Sequence, residues 1–67
     1  MKYELTFWGS ARVQRFPRYR RMHRTYEDAM ETAYRVFGKL EERGLARAAH
    51  PAIIYGPGCG PDGRTIC

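Results

Sequence analysis

The chain has 67 residues, with 12 Lys and Arg against 7 Asp and Glu for a formal net charge of +5, 43% hydrophobic residues and 28% charged ones. That length confines it to one domain that buries only about 60% of its unfolded surface. So few apolar residues cannot build both a core and a deep catalytic cleft, and the composition is that of a globular rather than a disordered chain.

Lys2–Trp8 alternates, with Tyr3, Leu5 and Phe7 on one face and Lys2, Glu4 and Thr6 on the other. That pattern predicts a half-buried strand ended by Gly9-Ser10. Ala11–Phe16 predicts a second strand paired antiparallel to the first. Pro17 lacks an amide proton and interrupts the ladder, marking an edge, a bulge or the entry to another turn. Tyr19–Arg24 can then form a third strand leading into a helix. Alternation fails here, because Met22 shares its face with Arg20 and Arg24, so the arginines are expected to escape at the rim.

The helix has the clearest local signals. Thr25 is a natural N-cap, and Asp28 three residues on resembles a capping box while suiting the positive end of the helix dipole. Ala29, Met30, Ala33, Val36, Phe37 and Leu40 recur at helical spacing, with Tyr34 flanking the stripe. Glu31 and Arg35 are an i,i+4 pair in the favourable order. Gly44 is a stop at C′, with Leu45 placed to fold back onto the last turn. Gly38 costs about 1 kcal/mol relative to alanine inside a helix, which suggests a close approach of the sheet.

After a connector, Leu45–Pro51, the run Ala52–Tyr55 predicts another strand. The loop Gly56–Gly63 is rich in Gly and Pro, and Arg64–Cys67 predicts a short return strand. The fold expected for residues 1–67 is a single small α+β domain: a mostly antiparallel sheet of three to five strands, in the order β-β(-β)-α-β-β, with one helix packed on one face.

The functional signal lies in residues 12–24. Arg12, Arg15, Arg18, Arg20, Arg21 and Arg24 crowd this stretch with no acidic residue among them. Unbalanced guanidinium charge opposes folding through self-repulsion, and guanidinium groups bind carboxylates and phosphates bidentately. A solvated outer face kept soluble by charge, with its edges protected against pairing, would be served better by lysine and mixed charge, so single-sign arginine favours a binding role. The partner expected is an anionic macromolecule, either nucleic acid or an acidic protein surface. Tyr19, Phe16 or His23 would stack on bases in the nucleic-acid case. Trp8 falls on the face opposite Tyr3, Leu5 and Phe7, where it either anchors an interface or folds over the sheet edge.

Other motifs point away from catalysis and cofactors. Gly56, Gly58 and Gly60 follow a strand but lead into no helix, so the loop reads as a hairpin turn rather than a phosphate cradle. Cys59 and Cys67 bracket the Gly/Pro stretch Gly60–Gly63 of that loop and can close a small disulfide. The start Met1-Lys2-Tyr3-Glu4 lacks a signal-peptide apolar core, so a cytoplasmic chain with two reduced thiols is expected. His50 and Cys59 are the least unsuitable metal ligands, and their spacing makes no zinc motif. No nucleophile–base–orienter set is recognisable, so neither enzyme activity, a cofactor nor a small-molecule substrate is expected. Ala52–Tyr55 is too short an apolar run to cross a membrane. An open sheet edge or the free thiols would allow a homodimer.

A short strand Lys2–Trp8, a basic hairpin, Thr25-Tyr26-Glu27-Asp28-Ala29 opening one helix and a last strand Ala52–Tyr55 together resemble very small phage and prophage proteins. In size and layout the chain is similar to anti-CRISPR proteins. That resemblance implies a phage-encoded inhibitor that binds a host nucleic-acid-handling or defence complex in the bacterial cell. The same layout also resembles ribosome-associated and RNA-binding small α/β folds, which implies a stand-alone DNA- or RNA-binding module. Neither likeness carries a functional residue over to this chain.

Overall fold

The structure, a computed structural model, describes residues 2–11, 14–45 and 50–66, with residues 10, 11 and 14–18 described by their backbone. It contains β1 (Tyr3–Ala11), β2 (Gln14–His23), α1 (Tyr26–Glu42), β3 (Ala52–Tyr55) and β4 (Arg64–Ile66). The strands form one sheet in the order β2-β1-β3-β4, every neighbouring pair antiparallel. The element order is therefore β-β-α-β-β, and β2 and β4 are the two edges.

Two of the expected boundaries move. β1 runs on through Gly9-Ser10 to Ala11, which pairs with Gln14. Pro17 marks an edge and a bulge, two of the three outcomes expected there, but the two strands expected on either side of it are one ten-residue strand, β2, ending at His23. Phe7 pairs with Tyr19 and Trp8 with Pro17, so Arg18 is an extra residue that bulges the strand. Because β2 is an edge, the amide proton missing from Pro17 interrupts no second ladder, and the bulge absorbs the irregularity.

Alternation on β1 sends Leu5 and Phe7 into a core with Ala52 and Ile54 of β3, Ile66 of β4, and Ala29, Ala33 and Phe37 of α1. The alanines on the helix stripe permit a close helix–sheet approach, while Phe37 fills the space with its ring edge-on to Phe7 at 5.4 Å. Met30, Val36 and Leu40 pack around this centre.

The helix ends follow their local signals. Thr25 has extended backbone angles, and its side-chain oxygen accepts a hydrogen bond from the Asp28 amide at 3.1 Å. Leu45 N donates to Leu40 O at 2.9 Å and Gly44 N to Glu41 O at 3.0 Å, with Gly44 at φ 74°. Those two bonds are the Schellman pattern, which satisfies carbonyls the helix would otherwise leave bare. Arg35 donates to Glu31 at 3.3 Å, as the i,i+4 spacing predicts.

Gly38 does not serve a close approach to the sheet. It is exposed, and a Cβ built there meets nothing within 4 Å. Gly38→Ala is accordingly expected to stabilise the fold by about 1 kcal/mol, through helix propensity alone. A rise in the urea midpoint at unchanged slope would show it, and an unchanged or lower midpoint would contradict it. No helix among the described residues is long and apolar enough to cross a membrane.

Candidate interface for an anionic partner

The site is built on β2, whose successive side chains alternate between the helix side and the outer side of the sheet. Register places Tyr19, Arg21 and His23 opposite Phe7, Leu5 and Tyr3 on the helix side, and Arg20 and Met22 opposite Thr6 and Glu4 on the outer side. The basic strand thus presents guanidinium groups on both faces. Arg21 stays exposed although its parity points it to the helix side, because β2 is an edge and the helix does not cover its rim.

Each arginine whose side chain is described has a different environment. Arg20 Nε donates to Glu4 Oε1 at 3.0 Å, across the sheet and sixteen residues away in sequence. The Arg21 guanidinium lies over the Tyr19 ring, 5.9 Å from its centroid. Arg24, just past the strand, is exposed, and neither it nor Arg21 has a carboxylate at ion-pair distance among the described residues. Arg12 lies outside the described residues, as do the side chains of Arg15, Arg18 and Phe16.

The aromatic candidates are largely engaged in the fold. Tyr19 is half-buried, edge-on to Phe7 with centroids 5.7 Å apart, and its face is covered by Arg21. Trp8 is half-buried, and its indole Nε1 is buried without a hydrogen-bond partner among the described residues. His23 is buried and cannot stack on a base. Its Nδ1 donates to Asp28 Oδ2 at 2.8 Å, while Nε2 is buried without a partner among the described residues. The Asp28 carboxylate therefore ties the end of β2 to the first turn of α1, which the capping-box spacing did not foretell.

A small polar cluster on the outer face escaped the sequence reading. Thr6 is only 1% exposed, although its parity places it away from the helix. It sits on a central strand, with Arg20 and Ile53 opposite it on either side. Its hydroxyl donates to Glu4 Oε1 at 3.0 Å, the same oxygen that accepts from Arg20. The Arg20 hydrogen bond, then the Thr6 hydroxyl and the charge of Arg20, hold the Glu4 carboxyl below its usual range, against a partial desolvation that raises it.

That depression has a pH consequence. Stability from this group is present above the carboxylate value of the unfolded chain and is lost as pH falls through the lower folded value. For a pair this exposed the amount is about 0.2–1 kcal/mol. Glu4→Gln should make the acid limb of stability shallower by that amount, read from urea midpoints between neutral and acidic pH. An identical pH profile would show that the ion pair contributes nothing to folding.

The loop between β3 and β4 is a hairpin connection, turned by Cys59 N donating to Gly56 O and Gly63 N to Gly60 O. Cys59 carries a free thiol, half-buried against the core, and Cys67 lies outside the described residues. Phe7, Tyr19, Val36, Leu40 and His50 line a half-open apolar cleft of about 180 Å³. That is below the few hundred Å³ usual for small-molecule sites. Among the described residues no three of His, Cys, Asp and Glu come together as a metal-ligand set.

Comparison of the chain with protein-family models, with curated proteins and with solved structures finds no match in any of the three, so what can be said of its function starts from these residues.

Proposed function

We propose that this is a binding protein without chemistry of its own, which docks the arginine-bearing strand β2 and its flanks onto an anionic macromolecule. The observation that carries the reading is the exposure of Arg21 and Arg24 without a carboxylate partner among the described residues, inside a stretch that holds six arginines and no acid. A cation left unpaired at a surface is free to exchange its hydration for a bidentate contact with carboxylate or phosphate.

The partner we favour is the acidic surface of a protein complex, of the nucleic-acid-handling or defence type that the anti-CRISPR likeness implies. Met22 is 44% exposed on the same outer face as Arg20, and Ile53, Tyr55 and Trp8 are half-buried on that face. Aromatic residues, Met and Arg are the types enriched in protein interfaces, where the apolar part supplies affinity and the charges supply register. In this setting the chain is a phage-type inhibitor acting in a bacterial cytoplasm.

A stand-alone DNA- or RNA-binding module is the second reading. Arg21 and Arg24, without a carboxylate at ion-pair distance among the described residues, favour it, but Tyr19 is committed to Phe7 and Arg21, which leaves phosphate contact rather than base stacking as its means.

The test is capture from a bacterial lysate with and without nuclease, by the parent and by an Arg21→Gln/Arg24→Gln variant whose melting is unchanged. One defined protein complex, retained after nuclease and lost with the variant, is the expected result. Loss on nuclease treatment would favour the second reading. Duplex binding should then lose about one unit of salt slope per arginine removed. Equal capture by parent and variant would remove the arginines from the site.

A further inference from the structure

We infer that the free edge of β2, over Tyr19–His23, takes up an extended acidic segment of a partner protein as an added antiparallel strand. This rests on the anionic-partner reading above and specifies the partner's form. Among the described residues β2 pairs on one side only, with β1, so along its other side alternate backbone N–H and C=O groups have no described strand to meet. Pro17 and the bulge at Arg18 spoil the Gln14–Arg18 half as a template. From Tyr19 to His23 the register with β1 is regular, residue for residue. That leaves five residues of edge in regular register, on which Arg20 and Arg21 repel a like-charged strand but not an acidic one.

The guanidinium groups along this edge are held in place rather than trailing into solvent. Arg20 is held on the outer face through its Nε bond to Glu4, yet its side chain remains 67% exposed. Arg21 is laid over Tyr19 on the helix side. Side chains ordered in this way lose less entropy when a carboxylate arrives. A strand laid along the edge places successive residues on opposite faces, each beside the β2 residue it pairs with. Read in the antiparallel direction, the residues beside Met22, Arg21 and Arg20 are best apolar, acidic and acidic. Charge complementarity therefore selects an acidic occupant. It also disfavours a second copy of this chain, since the basic edges of two β2 strands would meet.

A short labelled peptide with a central Leu-Glu-Glu, followed by fluorescence anisotropy, tests this directly. Expected are binding that weakens about tenfold when alternate peptide amides are N-methylated, and a comparable loss with Arg21→Gln. Amide exchange within Tyr19–His23 should slow when the peptide binds. Loss with Arg21→Gln but indifference to N-methylation, with no new protection, would overturn strand addition and leave the anionic reading standing. Binding of a single-stranded oligonucleotide but not of the peptide would overturn the proposal in favour of nucleic acid. Failure of both probes would overturn the proposal and the anionic reading together.

Discussion

Replacing Phe37 by alanine should cost about 3–5 kcal/mol of folding stability, the usual range for emptying a buried phenylalanine site. Phe37 is 0% exposed and is the largest fully buried side chain described. Its ring lies edge-on to Phe7 at 5.4 Å and to Tyr34 at 6.3 Å, so it joins α1 to the central strand β1. Neighbouring Ala29 and Ala33 are too short to fill the vacated volume from the same helix face. A domain of this size sits near the lower end of the usual stability range of about 5–15 kcal/mol, so the variant should be largely unfolded at physiological temperature. Urea titration followed by circular dichroism measures it. A cost below about 1.5 kcal/mol, the scale of a volume-conserving swap, would mean that the helix and sheet close over the gap and that Phe37 does not join them. Tyr34→Ala is the control, since Tyr34 is 48% exposed and should cost far less.

Gly63→Ala should cost about 2–5 kcal/mol, from two separable causes. Gly63 has φ 76°, where an L-residue suffers a penalty of about 1–2 kcal/mol. A Cβ there also falls 2.6 Å from Ile53 Cγ2 and 2.8 Å from the Tyr55 ring, and overpacking of that kind typically costs about 1–3 kcal/mol. Gly58 isolates the first cause, because its φ is 81° while its Cβ would meet nothing within 4 Å. Gly58→Ala should therefore cost only the backbone penalty. Equal losses in the two variants would show that Ile53 and Tyr55 yield freely. The comparison also bears on function, since Gly63 presses on two outer-face side chains beside the candidate interface.

Much of the helix was legible in the chain itself. Thr25, Gly44 and Leu45 act within one turn of their own position, and the spacing of Ala29, Ala33 and Phe37 is a local periodicity. The arginine stretch was legible as charge for the same reason: adjacency in sequence guarantees adjacency in space. What each arginine does was not legible. Arg20 meets Glu4 only because β1 and β2 pair in one particular register, and Arg21 is exposed only because β2 lies at an edge.

The misread features have one cause in common. Gly9-Ser10 are turn residues by local rule, yet β1 runs through them, since a long antiparallel pairing outweighs local preference; Pro17 did mark an edge and a bulge, but not the end of a strand. Thr6 has the parity of a solvent-facing residue but is buried by the strands on either side of it. Gly38 gave the opposite error, because a glycine inside a helix shows that a Cβ is lacking but not which way it would point. By itself, then, the sequence determined the helix, its caps, the inward face of β1 and the concentration of positive charge, all of which depend on neighbours along the chain. Only the tertiary structure decided strand order, which strand became an edge and which guanidinium groups were left unpaired. Those depend on contacts between residues far apart in sequence, which the free energy of the whole fold selects.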